Sequence, residues 1–356
     1  MRRRAFGAAL AATAAGLAAP RPAAPWATPG ASATPATPVT PATPARGETA
    51  RGGAPHLAGP DEFAFALIGD VPYGRDQVAL LPALLADLDD ALAFAIHVGD
   101  LKGGLESCSD AVLAQRHAAL AASRVPILFT PGDNEWLDCS RLPAGGFDPL
   151  GRLERLRSLF FEPPRAPRGV SDLVRQSDAP GHRPFPENLR WHVGETVFVT
   201  VNLPGSDNGR EGAPAMQAHH ALRADANEAW LREASGLAAR AARPLLVIAV
   251  HADPGFERED GAHLAAPPPD GYTRHRALLR ELAGTFPGQV LYLHGDTHRF
   301  RVDRPLRDTR GARLRNFTRV ESFGSPFASS WVRVRVRPAD PSPFFVAVRH
   351  APPARP

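Results

Sequence analysis

Five stretches of the chain run apolar and then turn abruptly polar: "FAFALIGD" (63–70), "FAIHVGD" (94–100), "VPILFTPGDNE" (125–135), "PLLVIAVHADPG" (244–255) and "GQVLYLHGDTHRF" (288–300). Continuous apolar runs of this length fit strands buried on both faces. Between the first three, "DQVALLPALLADLDDAL" from Asp76 and the segment from about Asp110 to Ala122 carry helical spacing, with Pro82 near the start of the first. Strand, helix, strand, helix, strand predicts a mainly parallel α/β sheet with polar tips.

Later segments read differently. From about Pro143 to Asn188 the chain is rich in Pro, Gly and Arg, which predicts irregular structure with one short helix near "LERLRSLFF". "RWHVGETVFVTVNL" predicts a hairpin turning at Gly194 and Glu195. Helices are expected over roughly 226–242 and 274–285, and the last third alternates as antiparallel strands do.

The start of the chain adds a destination. "MRRRAFGAALAATAAGLAA" has a basic head, a short apolar run and small residues, the pattern of an export signal over 1–19, with a twin-arginine-like RRxF at its head. Residues 20–60 are a Pro/Ala/Thr-rich stretch expected to stay disordered as a linker, which leaves 61–352 for the folded domain. The expected location is therefore periplasmic or extracellular. No later stretch has the length of a membrane span.

Export also corrects the charge. Six arginines and one glutamate precede residue 61, so the 41 basic and 37 acidic residues of the whole become 35 and 36 beyond it. A near-neutral body gives no basic face for nucleic acid. The two cysteines, Cys108 and Cys139, are expected to pair in an oxidising compartment, tying the loop after Asp100 to the loop after Asn134.

In α/β sheets ligands gather beyond the carboxyl ends of strands, so five tips loaded with Asp, Asn and His can converge. Such side chains repel or remain unsatisfied unless cations hold them, and the mixture suits divalent metals.

On these five tips the chain resembles the calcineurin-like metallophosphoesterases, over about Phe63 to His350. The motifs of that family run Asp-x-His, Gly-Asp, Gly-Asn-His-Asp or Glu, a later His, and Gly-His-x-His. The resemblance implies a four-layer αββα sandwich of two mixed β-sheets flanked by helices, with two divalent metal ions drawn from Mn, Mg, Fe, Zn or Ca. It implies hydrolysis of a small phosphate ester by a metal-activated water. Carried over residue by residue, it makes Asp70, Asp100, His251 and His298 metal ligands. Pro72 stands where the first motif has histidine, and Asp296 replaces the first histidine of the last motif. The third motif has two registers: Asp133 as ligand with Asn134 at the acid position, or Asn134 as ligand with Glu135 there.

Lys102 is the single lysine of the chain. In so arginine-rich a sequence it marks a place for a compact, tunable charge that contacts substrate or fills the position left by Pro72. Lys102 and Asn134 are thus the candidate catalytic residues. Tyr73 and Arg299 flank the motifs as candidate phosphate contacts, and Asn202 and Asn208 are candidates for the mouth. His97 is expected to be packed; His294 shares the parity of Asp296 and His298, but the turn between them is expected to break that geometry, which leaves support of the ligands as the lesser alternative. The competing expectation is a binding or scaffold protein that kept the sandwich after losing ligands at Pro72 and Asp296.

Overall fold

A computed structural model of the chain describes residues 62–162, 170–179, 184–259 and 268–352. The expected export signal and linker lie outside the described residues.

The first half alternates as predicted: β1 (Phe63–Ile68), α1 (Gly74–Asp87), β2 (Phe94–His97), α2 (Asp110–Ala121), β3 (Ile127–Phe129) and α3 (Pro149–Phe160). Then follow β4 (Ser171–Arg175), β5 (Leu189–Val193), β6 (Thr196–Thr200), the single turn α4 (Gly205–Asn208) and α5 (Pro214–Arg240). The rest holds β7 (Leu245–Ala249), α6 (Thr273–Thr285), β8 (Gln289–His294), β9 (Arg301–Asp303), β10 (Phe317–Glu321), β11 (Ser330–Val336) and β12 (Phe344–His350).

Two mixed sheets result, ordered β12-β11-β1-β2-β3 and β4-β5-β6-β7-β8-β10-β9. Side-chain alternation sets the layers. On β1, Phe65 and Leu67 join a core shared with Trp191, Phe198, Val247 and Leu293 of the second sheet, so the sheets pack face to face. Ala64, Ala66 and Ile68 point the other way, onto Leu81, Leu84 and Leu85 of α1 and Leu120 of α2. Leu246, Ile248 and Tyr292 on the second sheet's outer face meet Trp230 and Leu231 of α5 and Leu278 and Leu279 of α6. Helix, sheet, sheet, helix is the αββα sandwich. Each fully buried aliphatic or Phe side chain contributes roughly 1.5–3 kcal/mol.

Three expectations need correction. β10 is not antiparallel throughout its surroundings: it runs parallel to β8 and antiparallel only to β9, because the chain crosses over between them, and alternation carries no direction. β4 is a strand where irregular structure is predicted; its residues pair with β5 through a register shift. α5 begins at Pro214 rather than near 226, since its first turns bury only Met216 and Arg223 and show no apolar stripe to the periodicity.

β1, β2 and β3 run parallel, as do β6, β7 and β8, which brings the carboxyl ends of each set to one edge of its sheet. The polar tips follow those ends.

Candidate metal centre

Three of the five tips, the first, second and fifth, break their strands with left-handed residues. Asp70, Asp100, Asp296 and His298 have φ of 56°, 58°, 77° and 59°, and non-glycine residues in that region are sparse and concentrate where a site over-determines them. Glycine makes the approach possible. A Cβ on Gly205 would sit 2.7 Å from Asp133 Oδ2 and 3.0 Å from Asp296 Oδ1.

His251 stands at the middle. Its Nδ1 meets the Val98 carbonyl at 2.7 Å, which leaves Nε2 unprotonated on a neutral ring. That Nε2 is buried, has no hydrogen-bond partner, and faces Asp133 Oδ1 at 3.4 Å, Asp100 Oδ1 at 3.5 Å and Asp296 Oδ1 at 3.9 Å. Two overlapping groups have ligand atoms within 4.8 Å of one another: Asp70, Asp100 and His251, and Asp133, His251 and Asp296.

A second imidazole stands outside these groups but beside them. His298 Nδ1 meets the Ser325 carbonyl at 2.7 Å, and its Nε2 lies 3.5 Å from Asp70 Oδ1. Tyr73, three residues beyond Asp70, brings its hydroxyl to 2.7 Å from Asp100 Oδ2 and 3.3 Å from His298 Nε2. Pro72 offers no ligand atom, and the phenol beside it reaches the same surroundings.

The third motif separates its three polar residues. Asp133 joins the cluster. Asn134 Nδ2 donates to Asp100 Oδ2 and, at 3.1 Å, to the Tyr73 hydroxyl. Glu135 turns inward, where Oε1 accepts the backbone N–H groups of Gly132 and Asp100 at 2.6 and 3.2 Å. Lys102 is fully buried and donates to the Gly103 carbonyl at 3.0 Å, with burial lowering its pKa and Glu135 and Asp100 opposing that.

Electrostatically the cluster is strained. Burial, with the charges of Asp133, Glu135 and Asp70, holds Asp100 well above the usual carboxylate range against the pull of His251. Asp296 is pushed up to about 7, mainly by burial. For Asp133 burial acts upward as well, but His251 and the Ser206 hydroxyl bring it down to about 2. His251 is held well above its ordinary value, because Asp100, Asp133 and Asp296 outweigh its burial. The positive groups beside these carboxylates among the described residues are the imidazoles of His251 and His298 and the ammonium of Lys102. An oxygen-rich set around a buried, unpartnered Nε2 fits a divalent cation.

The remaining candidates lie apart from the cluster. His97 is packed, with Nε2 2.9 Å from the Val71 carbonyl. His294 is buried with Nδ1 2.8 Å from the Gly295 carbonyl, behind Asp296. Arg299 gives its backbone N–H to Glu321. Asn202 donates to Glu187, and Asn208 braces a turn between Arg223 and Gly271, so neither reaches the cluster. Sequence reasoning missed Ser206, whose hydroxyl lies 2.6 Å from Asp133 Oδ2 and 2.9 Å from Asp138 Oδ1. "PGSDNG" has only the composition of a turn, so it carried no signal.

The two cysteines pair as expected: Cys108–Cys139 is a disulfide, joining the loops that carry Lys102 and Asn134. No helix among the described residues is long and apolar enough to cross a membrane.

No protein-family model matches the chain. No curated protein matches it either. Among solved structures it is similar to the purple acid phosphatase PPD1 from yellow lupin (Lupinus luteus) seeds, at 13% identity and a TM-score of 0.44. That alignment covers 81% of this chain and 53% of the phosphatase, so the chain spans about half the length of that structure.

Proposed function

We propose that this protein hydrolyses small phosphate esters at a centre of two divalent cations held by Asp70, Asp100, Asp133, His251, Asp296 and His298. The observation that carries the reading is the buried Nε2 of His251, unpartnered and facing three carboxylates. When bound, such cations polarise phosphoryl oxygens and lower the pKa of water. The oxygen-rich donors favour Mn²⁺, Mg²⁺, Fe or Ca²⁺ over Zn²⁺.

The chain's own groups divide the remaining work. Asp100 faces His251 with Oδ1 and Tyr73 with Oδ2, so it is the carboxylate that joins the two halves of the centre. Asn134 fixes Asp100 through its side-chain amide and keeps an amide at the edge of the cluster. Lys102, buried beneath the same loop, offsets the charge of Glu135 and Asp100. The third motif has Asn134 or Glu135, not histidine, at the acid position that the resemblance implies. Esters with good leaving groups are therefore the best substrates. The disulfide supports work in an oxidising compartment, such as the periplasm or the extracellular space.

Elemental analysis of the purified protein, together with turnover of aryl phosphates by the native chain and Asp100→Ala, tests this. Metal and activity should fall together in the variant; equal turnover in both ends the reading.

A further inference from the structure

Four aspartates cancel the charge of two divalent cations, so an anionic phosphoryl group needs another positive partner. One basic side chain stands on each of the loops that follow β2 and β3, Lys102 and Arg141. Lys102 is fully buried. Arg141 has a side chain 47% exposed.

Arg141 is held by one edge only. Its Nη2 pairs with Asp138 Oδ2 at 2.8 Å, and no other hydrogen bond or ion pair engages its side chain among the described residues. The free edge lies against Gly104, on the side where Asn134 also approaches. A Cβ placed on Gly104 would lie 3.0 Å from Arg141 Nη1 and 2.8 Å from Asn134 Oδ1, so the guanidinium meets, over one glycine, the amide that touches Asp100.

The mount is stiff. The Arg141 carbonyl accepts N–H groups from Ala144 and Gly146 at 3.0 and 3.1 Å, and Cys139 is tied to Cys108. Asp138 is itself fixed, its backbone N–H on the Asp133 carbonyl at 2.9 Å and its Oδ1 beside Ser206. A guanidinium pinned on one nitrogen presents the other to an oxyanion in a set direction.

We propose that Arg141 anchors the phosphoryl group of the substrate, and that the site prefers phosphate monoesters to diesters. This rests on the hydrolytic reading above. A diester has two non-bridging oxygens and a monoester three; were two cations to hold one oxygen each, a further oxygen would remain for Arg141 only in the monoester.

The test uses full-length protein loaded with Mn²⁺, as wild type, Arg141→Ala and Arg141→Lys. It measures bound Mn²⁺, affinity for inorganic phosphate by calorimetry, and kcat/KM for p-nitrophenyl phosphate and bis(p-nitrophenyl) phosphate. Arg141→Ala should weaken phosphate binding and monoester kcat/KM by about tenfold or more, the loss of one charge-assisted hydrogen bond. Bound Mn²⁺ and diester turnover should hold, and Arg141→Lys should recover part of the loss. Unchanged phosphate affinity, or loss of Mn²⁺ from Arg141→Ala, overturns the anchoring role. Equal losses on both esters overturn the monoester preference. If the wild type cleaves neither ester the hydrolytic reading falls, and phosphate affinity alone then decides on Arg141.

Discussion

His251 Nε2 and Asp133 Oδ1 lie 3.4 Å apart, both buried, without a hydrogen bond between them. The ring cannot turn to find another partner, because its Nδ1 is fixed on the Val98 carbonyl. A ring nitrogen held against a carboxylate in this way needs a positive charge between them, either a proton on the ring or a cation in its place. The pairing also bears on the third motif: Asp133 meets His251, and Asn134 does not.

Asp133→Ala should therefore lose bound metal, while Asn134→Ala should retain it and lose turnover by about 10²-fold, the usual cost of one oriented donor. Elemental analysis of the two variants beside their kcat values checks this. Retention of all metal by Asp133→Ala would favour the other register.

Saturation with Mn²⁺ should raise the melting temperature, since a ligand bound only to the folded state stabilises it by about 2.7 kcal/mol at 100 times its Kd. His251→Ala should abolish that shift. A metal-independent melting curve for the wild type would point to a scaffold that has lost its centre.

Gly205→Ala should crowd Asp133 and Asp296, whose oxygens lie 2.7 and 3.0 Å from the new Cβ. Overpacking of this kind costs about 1–3 kcal/mol. Mn²⁺ affinity measured by calorimetry should fall in the variant, and an unchanged value would show that the carboxylates move aside freely.

Replacing both Cys108 and Cys139 by alanine opens a crosslink between residues 31 apart in sequence. The chain-entropy account puts the loss at about 3–4 kcal/mol. Urea unfolding of the double variant measures it. Activity should drop too, because both sulfurs sit beside the Asn134 carbonyl.

Acid should weaken the fold through buried imidazoles. Burial holds His97 down to about 4 and His275 down to about 3, so both stay neutral in the folded chain while the unfolded chain protonates them below about 6.5. The unfolded state then binds more protons, and stability falls as pH drops from about 6.5 toward 3–4. Each fully buried imidazole loses roughly 1.4 kcal/mol per pH unit in that window. Comparing urea midpoints at pH 7 and pH 5, the difference should be smaller in His275→Gln by about 2 kcal/mol; an equal difference would remove His275 from the account.

Much of this was legible along the chain. The apolar runs gave β1, β2, β3, β7 and β8 because a strand buried on both faces has no polar alternation to confuse it. The hairpin of β5 and β6 followed from its turn at Gly194 and Glu195, where β5 and β6 pair antiparallel. Less legible were segments held by polar contacts. The early turns of α5 carry Arg223, which donates to Asn208 and stacks over Trp136, and no hydrophobic period marks such a helix. β10 looked like its neighbours, since direction is absent from composition.

By itself the sequence determined which side chains stand at strand ends, since burying a run of Val, Leu and Ile forces the next Asp or His to the edge of the sheet. It also determined the one disulfide available to two cysteines. Only the tertiary structure decided which of those ends meet: Asp133 rather than Asn134 against His251, Tyr73 against Asp100, Ser206 under Asp133. Those choices turn on distances of a few ångströms between residues far apart in the chain. Packing of two sheets sets such distances, and no local pattern records them.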